Sequence, residues 1–226
     1  MKVCIALPAY TGTVHIGTQR SLVHDMTQLM KRGDRVWLHD EVGNGLIADA
    51  RALIVAQFLA SDADHLVFVD WDVIWEAGAL VRLVDYPVDF VAGIYPKRQD
   101  PISFAVSWDT SKEQLITDEN GLLEVKGVPA GFMRCSREML QEMSDHYSDL
   151  AFYCDRAPNE TAIGLFSDYW LDNPDGPRLK LGEDYAFCRR WTDMGGKIFI
   201  DPLIDMGHVG NKTFEGNLGN WLRCRS

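Results

Sequence analysis

The sequence predicts an α/β fold: a mostly parallel central sheet of Rossmann-like type, helices on both faces, and a small antiparallel part toward the C-terminus. Three observations carry this. Across residues 1–100, short apolar runs alternate with stretches of helical spacing in the order β-α-β-α-β-α-β. Parallel neighbours need crossovers, and the alternation supplies them. The runs are near-continuously apolar, as strands covered on both faces should be.

The elements follow in order. "KVCIALPAY" is an apolar run ended by Pro8, too short for a signal peptide and read as the first strand. The helix "GTQRSLVHDMTQLMKRG" places Leu22, Met26, Leu29 and Met30 at helical spacing, with Gly33 as its stop. "DRVWLHD" is a second strand ending in Asp40. "NGLIADARALIVAQFLASD" is a second helix with Ile47, Ala50, Ile54 and Phe58 along one face. "HLVFVD" is the third strand, "EAGALVRLVDY" a short helix and "VDFVAGIYPKR" the fourth strand.

Beyond residue 100, "PISFAVSWD" and "GLLEVKGVPAGFMRCS" read as strands around a turn at Asn120-Gly121, and "REMLQEMSDHY" as a helix capped by Ser136. Asp155 to Lys180 is rich in Pro, Asn, Asp and Gly and reads as a long loop of the kind that often serves as a lid. "GEDYAFCRRWTDMGG" is a helix, and "KIFIDP" a last strand. With no repeat and no clear linker, the reading is one domain over 1–226, with a nucleotide-binding half at 1–100 and an acceptor-binding half at 101–226.

Composition narrows the partners. The 226 residues carry a formal net charge of −11, so duplex DNA or an anionic membrane would be repelled overall. The only basic clusters of note, Lys97–Gln99 and Arg223–Arg225, are small. No apolar run reaches the roughly 18 residues of a membrane span. The five cysteines are odd in number and scattered, which argues against a zinc site or disulfide framework and for a cytoplasmic location.

In sheets of this class ligands bind at the carboxyl ends of the strands. That rim holds Pro8–Gly12, Asp40–Asn44, Asp70–Asp72 and Tyr95–Arg98. The first turn, "PAYTGTVHIG", lacks the G-x-G-x-x-G of dinucleotide sites, and neither a P-loop nor a G-x-S-x-G elbow occurs. What remains is Asp70-Trp71-Asp72 at a strand end. Such aspartates either cap a following helix or share one Mg²⁺ or Mn²⁺, which keeps open positions for phosphate oxygens. "HVGNK" offers His208, either a loop histidine bonded to backbone or a third metal ligand, and Lys212, a point charge for phosphate. "GED" opens a helix with Glu183 and Asp184, either dipole-stabilising acids or a base that takes a proton from an attacking hydroxyl.

In this order, "FVDWD", "GEDYAFCRRW" and "HVGNK" resemble the D-x-D, E-D and C-terminal histidine motifs of the GT-A fold glycosyltransferases. The resemblance runs from the Lys2–Tyr10 strand to about Lys212. It extends to "NGLIADARALIVAQFL", which looks like the helix whose arginine, here Arg51, reaches the nucleotide diphosphate. Many relatives carry Arg-Asn there, whereas this chain has Arg51-Ala52.

The resemblance implies a metal-dependent transfer from a nucleotide-diphosphate sugar, foremost a UDP-sugar, to an acceptor hydroxyl. Asp70, Asp72 and His208 would hold Mn²⁺ or Mg²⁺, with Lys212 and Arg51 on the diphosphate. Base and ribose would sit on Pro8, Ala9, Tyr10 and Thr11 and against Asp40, with Tyr10 stacking on the base. Asp184 would be the base of an inverting reaction, and Glu183 its substitute or a partner of the sugar. Trp71 either lines the sugar pocket or packs in the core. Gly131 sits on a turn that either approaches the donor sugar or is an ordinary turn. Phe166, Tyr169 and Trp170 either stack on an acceptor or pack within their loop, and Lys97 and Arg98 either touch phosphate or are solvated. The acceptor is open: saccharide, protein, small molecule or modified nucleobase. A nucleotidyltransferase and a non-catalytic nucleotide-sugar or carbohydrate-binding module are the alternatives.

Overall fold

The computed structural model describes residues 1–110, 114–155 and 157–224, the Pro158 side chain excepted; Arg225 of the C-terminal basic cluster lies outside them. The first half runs β1 (Lys2–Ala9), α1 (Ile16–Arg32), β2 (Arg35–Val42), α2 (Ile47–Ala60), β3 (His65–Val69), β4 (Val73–Trp75), α3 (Ala79–Asp85) and β5 (Phe90–Gly93). The second half adds β6 (Leu123–Val125), β7 (Phe132–Ser136), α4 (Arg137–His146), β8 (Ala151–Cys154), β9 (Ala157–Ile163), β10 (Tyr169–Leu171), β11 (Leu179–Leu181), α5 (Glu183–Asp193), β12 (Ile198–Asp201), β13 (Asp205–Val209), β14 (Thr213–Asn217) and α6 (Leu218–Arg223).

The central sheet has seven strands in the order β2-β1-β3-β7-β5-β12-β6. β2, β1, β3, β5 and β12 run one way; β7 and β6 run against them. The sheet is thus mostly parallel, as expected. β7, from the second half of the chain, is inserted between β3 and β5. Its first residue, Phe132, pairs with Val69 at the carboxyl end of β3, which delivers Gly131 to the ligand rim.

Strand alternation builds two cores. Val3, Ile5, Leu7, Val67 and Val69 face Leu22 and Leu29 of α1 and Leu80 and Leu83 of α3. Cys4, Ala6, Leu66 and Phe68 face Ile54 and Phe58 of α2, Met139 and Leu140 of α4, and Phe187 and Trp191 of α5. Helix ends follow the expected chemistry. Gly33 closes α1 at φ 96°. Ser136 caps α4 by accepting from the Met139 amide, 3.1 Å.

Four expectations are corrected. "PISFAVSWD" forms isolated bridges, Pro96 to Phe104 and Ser107 to Gly127, instead of a strand. "KIFIDP" is not the last strand: β13 pairs with β14 and with β4 in a separate three-stranded antiparallel sheet. The Asp155–Lys180 stretch is no structureless loop. It forms β9, which pairs with β8, and the β10–β11 hairpin. Finally, α2 is buried on more than its predicted face, because Ala52 and Leu53 pack under Ala162 of β9. Phe166 joins the core, stacked on Phe187 with centroids 4.4 Å apart. Tyr169 donates to Asp193 Oδ2 at 2.6 Å, and Trp170 lies beneath Arg178 and Lys180. Ladders of three residues leave too weak a periodicity to read from sequence.

Candidate functional site

The carboxyl ends of β1, β2 and β3 open onto a cleft of about 290 Å³. Pro8, Ala9 and Tyr10 form one wall; Glu41, Asn44 and Gly45 continue it; Asp70, Trp71 and Asp72 form the floor. Arg51 and Ala50 of α2, Arg98, and Glu183 and Asp184 close the far side. Tyr10 is 66% exposed and Trp71 41%, so both present open ring faces. Trp71 belongs to the cleft surface and not to the core.

Arg51 is the hub. Its side chain is buried, and its two arms diverge. Nη1 donates to Asp184 Oδ1 at 2.5 Å and reaches Glu183 Oε1 at 3.4 Å; Nη2 donates to Asp70 Oδ1 at 3.1 Å. Burial disfavours a charged guanidinium, but Asp184 and Asp70 outweigh it and hold Arg51 protonated. Burial pushes the Asp184 carboxyl up to about 6, with Arg51 opposing and Glu183 and Asp70 adding to the rise.

Asp70 is fixed from the backbone as well. Its amide donates to the Gly131 carbonyl at 2.9 Å, and the Gly131 amide donates to Tyr95 Oη at 3.1 Å. A Cβ at residue 131 would stand 2.4 Å from Tyr95 Oη and 2.5 Å from Asp70 Oδ2, so any side chain there displaces one of the two.

Asp72 is buried, and its Oδ2 meets the Arg98 guanidinium. Its Oδ1 lies 3.8 Å from His208 Nε2. His208 Nδ1 is 2.9 Å from the Pro96 carbonyl, so that nitrogen carries the proton and Nε2 keeps its lone pair toward Asp72. Burial lowers the His208 pKa, which keeps the ring neutral. Two lone-pair donors, one oxygen and one nitrogen, thus face each other with no proton between them. That pair suits Mn²⁺ or a related divalent cation.

The expected triad is not assembled. Among the described residues no group of three or more His, Cys, Asp or Glu is arranged around a metal position. Asp70 is turned to Arg51, whose positive charge takes the place of a cation beside it.

Four further residues stand outside the cleft lining. Asp40 is exposed on β2. That strand continues to Val42, so alternation brings Glu41 to the wall in its place. Thr11 bonds Thr13 across their hydroxyls at 2.7 Å. Lys212, on the β13–β14 turn, pairs with Asp100 at 2.5 Å. Lys97 is exposed beside the rim. Sequence reasoning set Glu41, Asn44 and Tyr95 on the rim but gave them no role; that of Tyr95 depends on Gly131, 36 residues away.

The chain resembles two solved structures over most of its length. A197 from STIV superposes with a TM-score of 0.56 at 17% identity, covering 96% of this chain and 95% of that one. GalNAc-T7, solved with UDP, GalNAc and Mn²⁺, superposes with a TM-score of 0.51 at 12% identity, covering 93% of this chain and 44% of that one. The fold is Rossmann-like, of the GT-A type. This chain spans less than half of the GalNAc-T7 chain, and at these identities the likeness is one of fold alone. No family model matches the sequence. No curated protein matches it either.

Proposed function

We propose that this protein transfers a sugar from a nucleotide-diphosphate sugar, foremost a UDP-sugar, to an acceptor hydroxyl with a divalent cation bound. The observation that carries the reading is the charge of the cleft. Glu41, Asp70, Asp72, Glu183 and Asp184 oppose only Arg51 and Arg98 among its lining residues. A diphosphate adds further negative charge, so its binding there requires an added cation. Asp72 and His208 would hold that cation, with phosphate oxygens and water completing its shell.

When bound, the cation supplies Lewis-acid stabilisation of the departing diphosphate. The chain's own residues do the rest. Tyr10 and Trp71 offer faces to the base and the sugar, and the Pro8–Ala9 wall excludes water. Asp184, on the far side, accepts the proton of the acceptor hydroxyl as that oxygen bonds to the sugar's anomeric carbon. The bond from that carbon to phosphate breaks with its electron pair leaving on the nucleoside diphosphate. Arg51 orients Asp184 and Glu183. Inversion at the anomeric carbon is the favoured outcome, since Asp184 at the start of α5 is assigned the role of base. The fold likeness to a protein solved with UDP, GalNAc and Mn²⁺ supports the donor class. No helix among the described residues is long and apolar enough to cross a membrane.

Thermal shift with UDP-, GDP-, ADP- and dTDP-sugars, each with and without Mn²⁺, tests the reading. One UDP-sugar at 100 times its Kd should raise the Tm by about 5–10 °C, and only with the metal present. Absence of a shift with every nucleotide would overturn it.

A further inference from the structure

Asp72 is 2% exposed, and a buried carboxylate demands a cation. Among the described residues, the permanently charged side chain within ion-pair distance of it is Arg98. His208, the other neighbour, engages the Pro96 carbonyl through Nδ1 at 2.9 Å and turns Nε2 toward the same carboxylate at 3.8 Å. The two partners of this ion pair differ in freedom. Asp72 sits on the floor and cannot move without unpacking it. The Arg98 side chain is 43% exposed and leaves the segment after β5, with its stem passing Gly210, where a Cβ would lie 3.2 Å from Arg98 Cδ. Arg98 also lines the cleft, so a guanidinium released from Asp72 stays within it.

We propose that Arg98 and a divalent cation are alternative counter-ions of Asp72. The arginine neutralises the carboxylate when no cation is bound, and yields it when the cation arrives between Asp72 and His208. The freed guanidinium then faces the same cleft as the donor diphosphate, where a fork of donors suits phosphate oxygens. This rests on the assignment of Asp72 and His208 as cation ligands made above. Its consequence is that Asp72 has a counter-ion in both states, at the expense of weaker metal affinity without nucleotide.

The test is Mn²⁺ binding without nucleotide, followed by the electron paramagnetic resonance signal of free Mn²⁺. Arg98→Ala should bind Mn²⁺ more tightly than the wild-type chain by about tenfold or more. Arg98→Lys should stay near wild type, and Asp72→Asn should lose binding. A second readout covers folding: in EDTA, Arg98→Ala should melt below wild type, because Asp72 is left unpaired, and Mn²⁺ should raise its Tm more than it raises that of wild type. If Asp72→Asn abolishes binding but Arg98→Ala binds no tighter than wild type, the competition is refuted while the metal site stands. If neither wild type nor Arg98→Ala binds Mn²⁺, or Asp72→Asn binds as wild type does, the ligand assignment falls with it. The UDP-sugar thermal shift still tests the donor reading separately.

Discussion

Arg51 Nη1 donates to Asp184 Oδ1 at 2.5 Å, across 133 residues of chain. The same guanidinium holds Asp70 with its other arm, so one side chain of α2 sets the distance between the floor of the cleft and the acid at the start of α5. The resemblance had placed this arginine on the diphosphate. We propose a positioning role for it instead, on its burial and its three carboxylate partners.

That role predicts different outcomes for two substitutions. Arg51→Ala leaves Asp70, Glu183 and Asp184 close together without their cation. Breaking a buried pair in this way costs about 3–5 kcal/mol, which thermal unfolding will register. Arg51→Lys keeps the charge but loses the fork. It should fold, and its kcat for hydrolysis of a UDP-sugar should fall by about 100-fold with little change in KM. A fall in affinity alone would place Arg51 on the donor after all.

The Asp184 carboxyl is raised from its ordinary 3.8 to about 6. Turnover should therefore climb with pH up to about 6 and level off above it, as the base form fills. Asp184→Asn should remove both the limb and most of the rate while sparing UDP-sugar binding, measured by calorimetry. The stability sign is opposite. The folded chain binds the extra proton between 3.8 and about 6, so this group favours the fold at low pH. That contribution is lost as pH rises through about 6.

Gly131→Ala inserts a methyl between Tyr95 Oη and Asp70 Oδ2, where 2.4 and 2.5 Å are available. Either Tyr95 or Asp70 must move. The variant should fold with a stability loss of about 1–3 kcal/mol. Its turnover should fall by more than that of Gly121→Ala, which is a control at a turn remote from the cleft.

Asp25 lies on α1 away from the cleft, fully buried. It accepts from Trp75 Nε1 at 3.0 Å, the Gly78 amide at 2.7 Å and the Leu80 amide at 3.0 Å. Asp25→Ala strands these three donors. The expected loss is about 3 kcal/mol or more, a Tm decrease of about 6–12 °C, with UDP-sugar affinity unchanged in the folded fraction.

The alternation of apolar runs and helical spacing was enough to place β1, α1, β2, α2, β3, α3 and β5 in order, because each is defined by its own residues and their period. The D-x-D at the end of β3 and the acids at the start of α5 were legible for the same reason: their positions follow from where a strand stops and a helix begins. The partners of those acids were not legible. Strand insertion decided that Gly131 and Tyr95 brace Asp70, since β7 runs antiparallel between β3 and β5 and no local pattern announces such a neighbour. A strand two residues longer than expected decided that Glu41 and not Asp40 lines the wall.

The sequence by itself determined which groups stand at the rim: carboxylates at 70, 72, 183 and 184, an imidazole at 208, and arginines at 51 and 98. Only the tertiary structure decided which of them neutralise one another. Arg51 went to Asp70 and Asp184, Arg98 to Asp72, and Lys212 to Asp100. The physical reason is that an ion pair forms between groups brought within a few ångströms by packing, whatever their separation along the chain, and a buried charge takes the nearest opposite charge available.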